Sequence, residues 1–203
     1  MFGLPSAAYT ASQPTGWTDP VPAPAHWEAD VAVRDGRTVR IRPITPDDGE
    51  RLAAFHRSLS NETVYFRFFA PYPELTERDV ERFSNVDHVD RVALVATVGG
   101  ELVGVGRYDR VDATDAEVAF VIRDDHQGRG LGSVLLEHLA AAARERGIKR
   151  FVAEVLPTNR RMLSTFQEAG YHPTHKLEDG VVSLSFDISP TDSSEEVRLA
   201  REH

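Results

Sequence analysis

One stretch limits the fold more than any other. Residues 116–147 read as an apolar segment, AEVAFVI, then a turn, DDHQGRGLGS, holding three glycines and an arginine, then the run LGSVLLEHLAAAARERG. In that run Leu131, Leu135, Leu139 and Ala142 recur on one helical face, and Gly147 supplies a stop. A strand, a glycine turn and a helix in this order leave unpaired backbone N–H groups at the positive end of the helix dipole. Glycine lets the backbone approach phosphate oxygens, and Arg129 can add charge-assisted hydrogen bonds, so the turn predicts an anion site suited to a diphosphate. A dinucleotide, a nucleoside triphosphate and coenzyme A are all compatible guests at this point.

The segments on either side narrow the choice. Upstream, VAVRDGRTVRIRPI alternates around Asp35-Gly36, a dipeptide suited to a type I′ turn, and RVALVATVGGELVGVGRYDRV reads as a hairpin about Gly99-Gly100. Between them, Thr45-Pro46 with Asp48, and Thr76 with Asp79, mark two helix starts. Downstream, RFVAEVLP is a strand, residues 159–169 form a helix closed by Gly170, and EDGVVSLSFDI closes the sheet. The order predicts a mixed α/β (α+β) fold whose sheet is mostly antiparallel with helices on its faces, not an alternating Rossmann series. The Walker pattern fails because no Lys-Ser or Lys-Thr pair follows the glycines, and the dinucleotide fingerprint fails because Ser133 stands where glycine or alanine is required.

Of 203 residues, 41% are hydrophobic and 27% charged, which fits one domain with a sizeable core. Residues 1–27, with Pro5, Pro14, Pro20, Pro22 and Pro24, read as a disordered or loosely attached lead; residues 28–188 form the domain; residues 189–203 form a tail that stops within a possible amphipathic helix, as in a piece of a longer protein. No secretion signal or apolar run of membrane length is present, which makes a cytoplasmic address the default. Cysteine is absent, excluding thiolate metal sites and cysteine nucleophiles. A net charge of -9 opposes broad nucleic-acid binding and suits a basic partner or substrate group.

What remains at the turn is Q-x-x-G-x-G, formed by Gln127, Gly130 and Gly132. With the helix that follows it, this stretch resembles the signature of the GNAT superfamily of acyl-CoA-dependent N-acyltransferases, and NRRMLSTFQEAGY further on matches as well. The resemblance covers roughly residues 30–187. It implies that the strands AEVAFVI and RFVAEVLP splay apart to admit the pantetheine arm of acetyl-CoA near Val121 and Ile122. Gln127, Gly128, Arg129, Gly130, Leu131, Gly132 and Ser133 would hold the pyrophosphate, and Asn159 would face the cosubstrate. Within the superfamily, SLSNETVYFRFF, AEVAFVI and DHQGRGLGS most resemble bacterial Pat-type protein lysine acetyltransferases, including actinobacterial ones. Those modify a lysine of AMP-forming acyl-CoA synthetases, which makes such a synthetase the implied partner.

Glu117 is the predicted catalytic base. AEVAFVI is apolar on both alternating sets, implying a strand buried on both faces, where a carboxyl pKa rises toward a useful value; the position also matches the glutamate of the family. Many relatives place a tyrosine general acid seven residues after the helix asparagine, but here Phe166 stands there, and Tyr171 reads as core. The aromatics Tyr65, Phe66, Phe68 and Phe69 are predicted to plug the core rather than line a cleft. His172 and His175 read as a surface loop and not a metal site, and Asp87, His88 and Asp90 as a solvated run. His126 is balanced between a cosubstrate contact and a solvated loop. Two other functions fit the same motifs: acetylation of a small amine or protein N-terminus, with acceptor walls from residues 58–90, and a catalytically silent acyl-CoA sensor.

Overall fold

A computed structural model describes residues 22–190 of the chain. Eight strands form one sheet in the order β1-β2-β3-β4-β5-β6-β8-β7, and every neighbouring pair is antiparallel except β5 and β6. The strands are β1 (Ala29–Ala32), β2 (Thr38–Pro43), β3 (Arg91–Val98), β4 (Glu101–Arg110), β5 (Asp115–Ile122), β6 (Arg150–Val155), β7 (Thr174–Glu178) and β8 (Val181–Asp187). The helices are α1 (Gly49–Arg57), α2 (Asn61–Phe68), α3 (Glu77–Ser84), α4 (Leu131–Glu145) and α5 (Arg160–Glu168). The predicted mixed sheet with helices on both faces is the observed architecture.

Two cores separate the layers. Val118 and Phe120 of β5 pack with Leu131, Leu135 and Leu139 of α4 on one face, and Ile44, Leu52, Phe55, Val95 and Val105 form the core under α1 on the other. Alternation along β5 explains the division, because successive side chains point to opposite faces. Two glycines of β4 make room for α4 and for the β5 side chains beside them: a Cβ at Gly104 would lie 2.8 Å from Ile122 and 3.2 Å from Leu135 of α4, and one at Gly106 would lie 2.9 Å from Phe120. The helix starts follow the sequence. Thr45 with Asp48 and Thr76 with Asp79 each form a reciprocal capping box.

Three local readings change. The β1–β2 connection is not a two-residue type I′ turn: only Gly36 has positive φ, and Val33 bonds Arg37 across a three-residue loop that frees Arg34. The loose lead does not extend to residue 27, because Ala25–Trp27 form a 3₁₀ turn and Trp27 is buried, with its indole N–H donating to Glu145 at 2.9 Å. His175 lies on β7, an exposed outermost strand, not in a loop. Residues 1–21 and 191–203, including most of the predicted tail, lie outside the described residues. No helix among the described residues is long and apolar enough to cross a membrane.

Candidate active site

The site begins where β5 leaves β6. The two strands pair in parallel over Asp115–Glu117 and Arg150–Val152 alone, pinned by the Arg150 guanidinium on the Asp115 carboxylate, whose Nε lies at 2.9 Å. Beyond Glu117 they diverge, and β6 stays paired with β8 as far as Val155 and Val182. This is the predicted splay.

Side chains of the glycine turn fix the diverging end. Gln127 donates through Nε2 to the carbonyl of Ile122 (2.9 Å) and to Thr63 on α2 (3.2 Å), while its Oε1 accepts from Arg161 on α5 (2.5 Å). Asp124 accepts from the Ser60 N–H and hydroxyl and from the Thr63 hydroxyl, fastening the start of α2 to the same turn. Gly128 and Gly130 take φ of 75° and 81°, in the left-handed region that disfavours a Cβ, and Gly130 is the N-cap of α4.

A cavity of about 500 Å³ opens over this turn. Val121, Ile122, Gln127, Gly128, Gly130, Leu131, Gly132, Ser133 and Asn159 all line it. Arg129 does not: it turns away and pairs with Asp35 at 2.6 Å, because the β1–β2 loop brings that carboxylate beside it. The positive charge around the cavity comes instead from Arg34, Arg67, Arg160 and Arg161. Asn159 caps α5, its Oδ1 accepting from the Met162 N–H at 3.1 Å, which leaves its amide N–H₂ for the cavity.

A narrow throat of about 40 Å³ continues from the cavity, with Phe66, Arg67, Phe120, Asn159 and Met162 shared between the two. Glu117 and Glu154 line the throat and also a groove of about 380 Å³ beyond it, floored by β6, β8 and β7. Glu117 therefore stands where the two spaces meet. It is half-buried, and its carboxylate makes no hydrogen bond or ion pair with a described residue. Burial and the neighbouring Glu154 carboxylate push its pKa up, against the opposing charge of Arg67. The strand is not buried on both faces: Glu117, Ala119 and Val121 are half-exposed along the cleft, while Ala116, Val118 and Phe120 are buried.

The aromatic segment is not core. Only Val64 of α2 is buried; Phe66 and Phe69 line the throat, Tyr65 is 46% exposed, and Phe68 stacks on Tyr72. An eight-residue helix lying over a cleft has one residue to give to the interior. Phe166 is core, packed on Phe186 and Phe120, and Tyr171 is core against Phe186. Asp87 and Asp90 are exposed, as the sequence predicts, with the Asp87 Oδ1 accepting three backbone N–H groups, from Val89, Asp90 and Arg91, and Asp90 pairing with Arg110; His88 departs from the run and is buried. His172 and His175 are exposed, and no group of metal-ligating side chains exists among the described residues. His126 is not a solvated loop residue; it is 7% exposed and lines the large cavity. Arg34 and Glu154 carry no motif, and Arg67 lies in SLSNETVYFRFF without being singled out there; tertiary placement brings all three to the site.

A glycine cradle at a helix start, opening between two splayed strands with a carboxylate at the fork, is the arrangement that the resemblance to the GNAT superfamily implies. Residues 54–171 match the model of the acetyltransferase (GNAT) family, and the chain belongs to that family. It is 37% identical over 168 residues to the acetyltransferase Pat of Mycolicibacterium smegmatis, covering 80% of this chain and 50% of that protein. It is also 36% identical over 142 residues to the acetyltransferase PA5475 of Pseudomonas aeruginosa, covering 68% and 75%. Among solved structures, the GNAT domain of S. lividans PAT superposes with a TM-score of 0.78 at 57% identity, covering 81% of this chain and 98% of that domain. The chain thus spans half the length of the mycobacterial relative.

Proposed function

We propose that the protein transfers an acetyl group from acetyl-CoA to the Nε of a lysine on another protein, with Glu117 as general base. The observation that carries this reading is the placement of Glu117 at the junction of the glycine-lined cavity and the open groove. The cavity fits acetyl-CoA: its turn presents a helix N-terminus and positive-φ glycines, and His126 holds a buried Nε2 with no partner in the same wall. Acetyl-CoA supplies an acyl thioester.

A lysine amine has a pKa of about 10.4 and arrives protonated. Glu117, unpaired and with a raised pKa, takes that proton directly or through a water and leaves a neutral nucleophile. Glu154 and Glu117 give the groove mouth a negative character that suits a cationic side chain. The neutral amine would attack the thioester carbonyl, and as the C–S bond breaks the sulfur would leave as thiolate or take a proton from water or from the protonated Glu117; Arg67 is the positive side chain among the described residues lining the throat.

The groove favours a protein acceptor over a small amine, since it runs openly along the exposed strand β7 instead of closing around a ligand. The chain's charge of -9 agrees with a basic acceptor. By likeness to the Pat relatives, an AMP-forming acyl-CoA synthetase is the proposed target, inactivated at the lysine its adenylation uses. Mass spectrometry of purified synthetases after incubation with acetyl-CoA and enzyme tests this. A single acetylated lysine with loss of adenylation is expected; acetylation confined to small amines would overturn the protein-lysine reading.

A further inference from the structure

The β1–β2 loop reaches the glycine turn from outside the motif. The Arg34 N–H donates to the carbonyl of Arg129 at 3.1 Å, which docks the loop on the turn, and the Arg34 side chain lies 3.3–3.6 Å from where a Cβ of Gly130 would stand. Arg34 and Glu168 of α5 both line the cavity, and they pair at 2.8 Å. Both side chains are largely solvent-exposed, at 58% and 39%, so the pair is weakly held and open to exchange for another anion. Arg129, the cation the motif itself provides, is bound to Asp35 of the same loop.

A second group in this wall awaits a partner. His126 is 93% buried, its Nδ1 bonds Asp125 at 2.8 Å, and its Nε2 has no partner. The charged residues lining the cavity are Arg34, Arg67, Arg160 and Arg161 against Glu62 and Glu168, an excess of positive charge in an acidic chain.

We propose that Arg34 is a phosphate ligand for the cosubstrate, replacing Arg129 in that role, and that Glu168 holds its guanidinium over the turn until a phosphate displaces the carboxylate. This rests on the reading that the cavity takes acetyl-CoA. A guanidinium is suited to the exchange, because it offers the same fork to a carboxylate and to a phosphate.

Calorimetric titration of the full chain with unacylated CoA reads binding without turnover. Arg34→Ala should weaken CoA about tenfold or more, as expected for a lost charge-assisted contact, while Arg34→Lys should recover part of it. Glu168→Gln should tighten CoA, because no carboxylate then competes. Repeating the titrations with dephospho-CoA identifies the phosphate: a penalty that disappears assigns Arg34 to the 3′-phosphate, and one that persists assigns it to the diphosphate. Wild-type binding with Arg34→Ala binding equally well overturns the Arg34 assignment alone. Failure of the wild type to bind CoA overturns the acetyl-CoA reading and this inference with it.

Discussion

Two carboxylates in this molecule sit in protein surroundings and are treated in opposite ways. Asp48, fully buried at the start of α1, accepts from both terminal nitrogens of Arg42 at 2.7 Å, from the Thr45 N–H and hydroxyl, and from Arg51. Burial alone would raise its pKa, yet these donors hold it at about 2. Glu117 has burial without donors, and its pKa is raised. The charge of Asp48 is consumed by the fold; that of Glu117 is left available to a proton. Burial by itself therefore does not mark a candidate acid or base, whereas burial without partners beside a cavity does.

Substitutions can break this contrast, beginning with the largest effect. Glu117→Gln should lower kcat by about 10²–10⁴-fold with CoA affinity retained, read by steady-state kinetics beside calorimetry. Unchanged turnover would favour a silent acyl-CoA sensor. Asp48→Ala should cost about 3–5 kcal/mol, because it strands the Arg42 guanidinium, 20% exposed at its side chain, and should lower Tm by about 10 °C while leaving the throat in place. Asp48 also sets an acid limit. Its folded pKa lies below the unfolded value, so its contribution is present above about pH 3.9 and is lost as pH falls through about 2, which acid titration of wild type against Asp48→Asn would show.

Glu154→Gln sharpens the comparison from the other side. It removes a neighbour that raises the Glu117 pKa, so the acidic limb of the kcat/KM profile should move to lower pH. The smallest effect concerns stability. Because the folded pKa of Glu117 is raised, its contribution is greatest below the unfolded glutamate pKa and declines as pH rises through the folded one. Glu117→Gln should thus melt slightly higher than wild type at pH 7, and thermal scans at pH 4 and 7 should show the gap closing at the lower pH.

Most of the frame was legible in local patterns. Both capping boxes, the Gly99-Gly100 hairpin, the apolar face of α4 and the Gly147 stop follow from neighbouring residues, and all stand in the structure. Arg129 misled because its partner Asp35 is distant in sequence, and a motif cannot show a salt bridge to another loop. Phe66 and Phe69 misled for a related reason: aromatic content suggests burial, but a short helix over a cleft turns them toward it. Strand β7 was missed because its residues are all exposed and its Asp179-Gly180 turn falls inside what reads as one strand-closing segment. Glu154 gave no signal, as its meaning arises from standing beside Glu117 across two strands that share only three rungs.

Those three rungs have a further consequence. A sheet normally has two borders where main-chain groups lack a strand neighbour, but the fork between β5 and β6 creates an additional pair of such borders inside the molecule. The amides that face each other there are spaced as a ladder without its partner, so an extended chain bearing amide groups of its own can complete the pattern from within. The protein keeps within its sheet the kind of unpaired main chain that most sheets must hide at their borders, and the helices α2 and α5 are both tied to Gln127 at that fork.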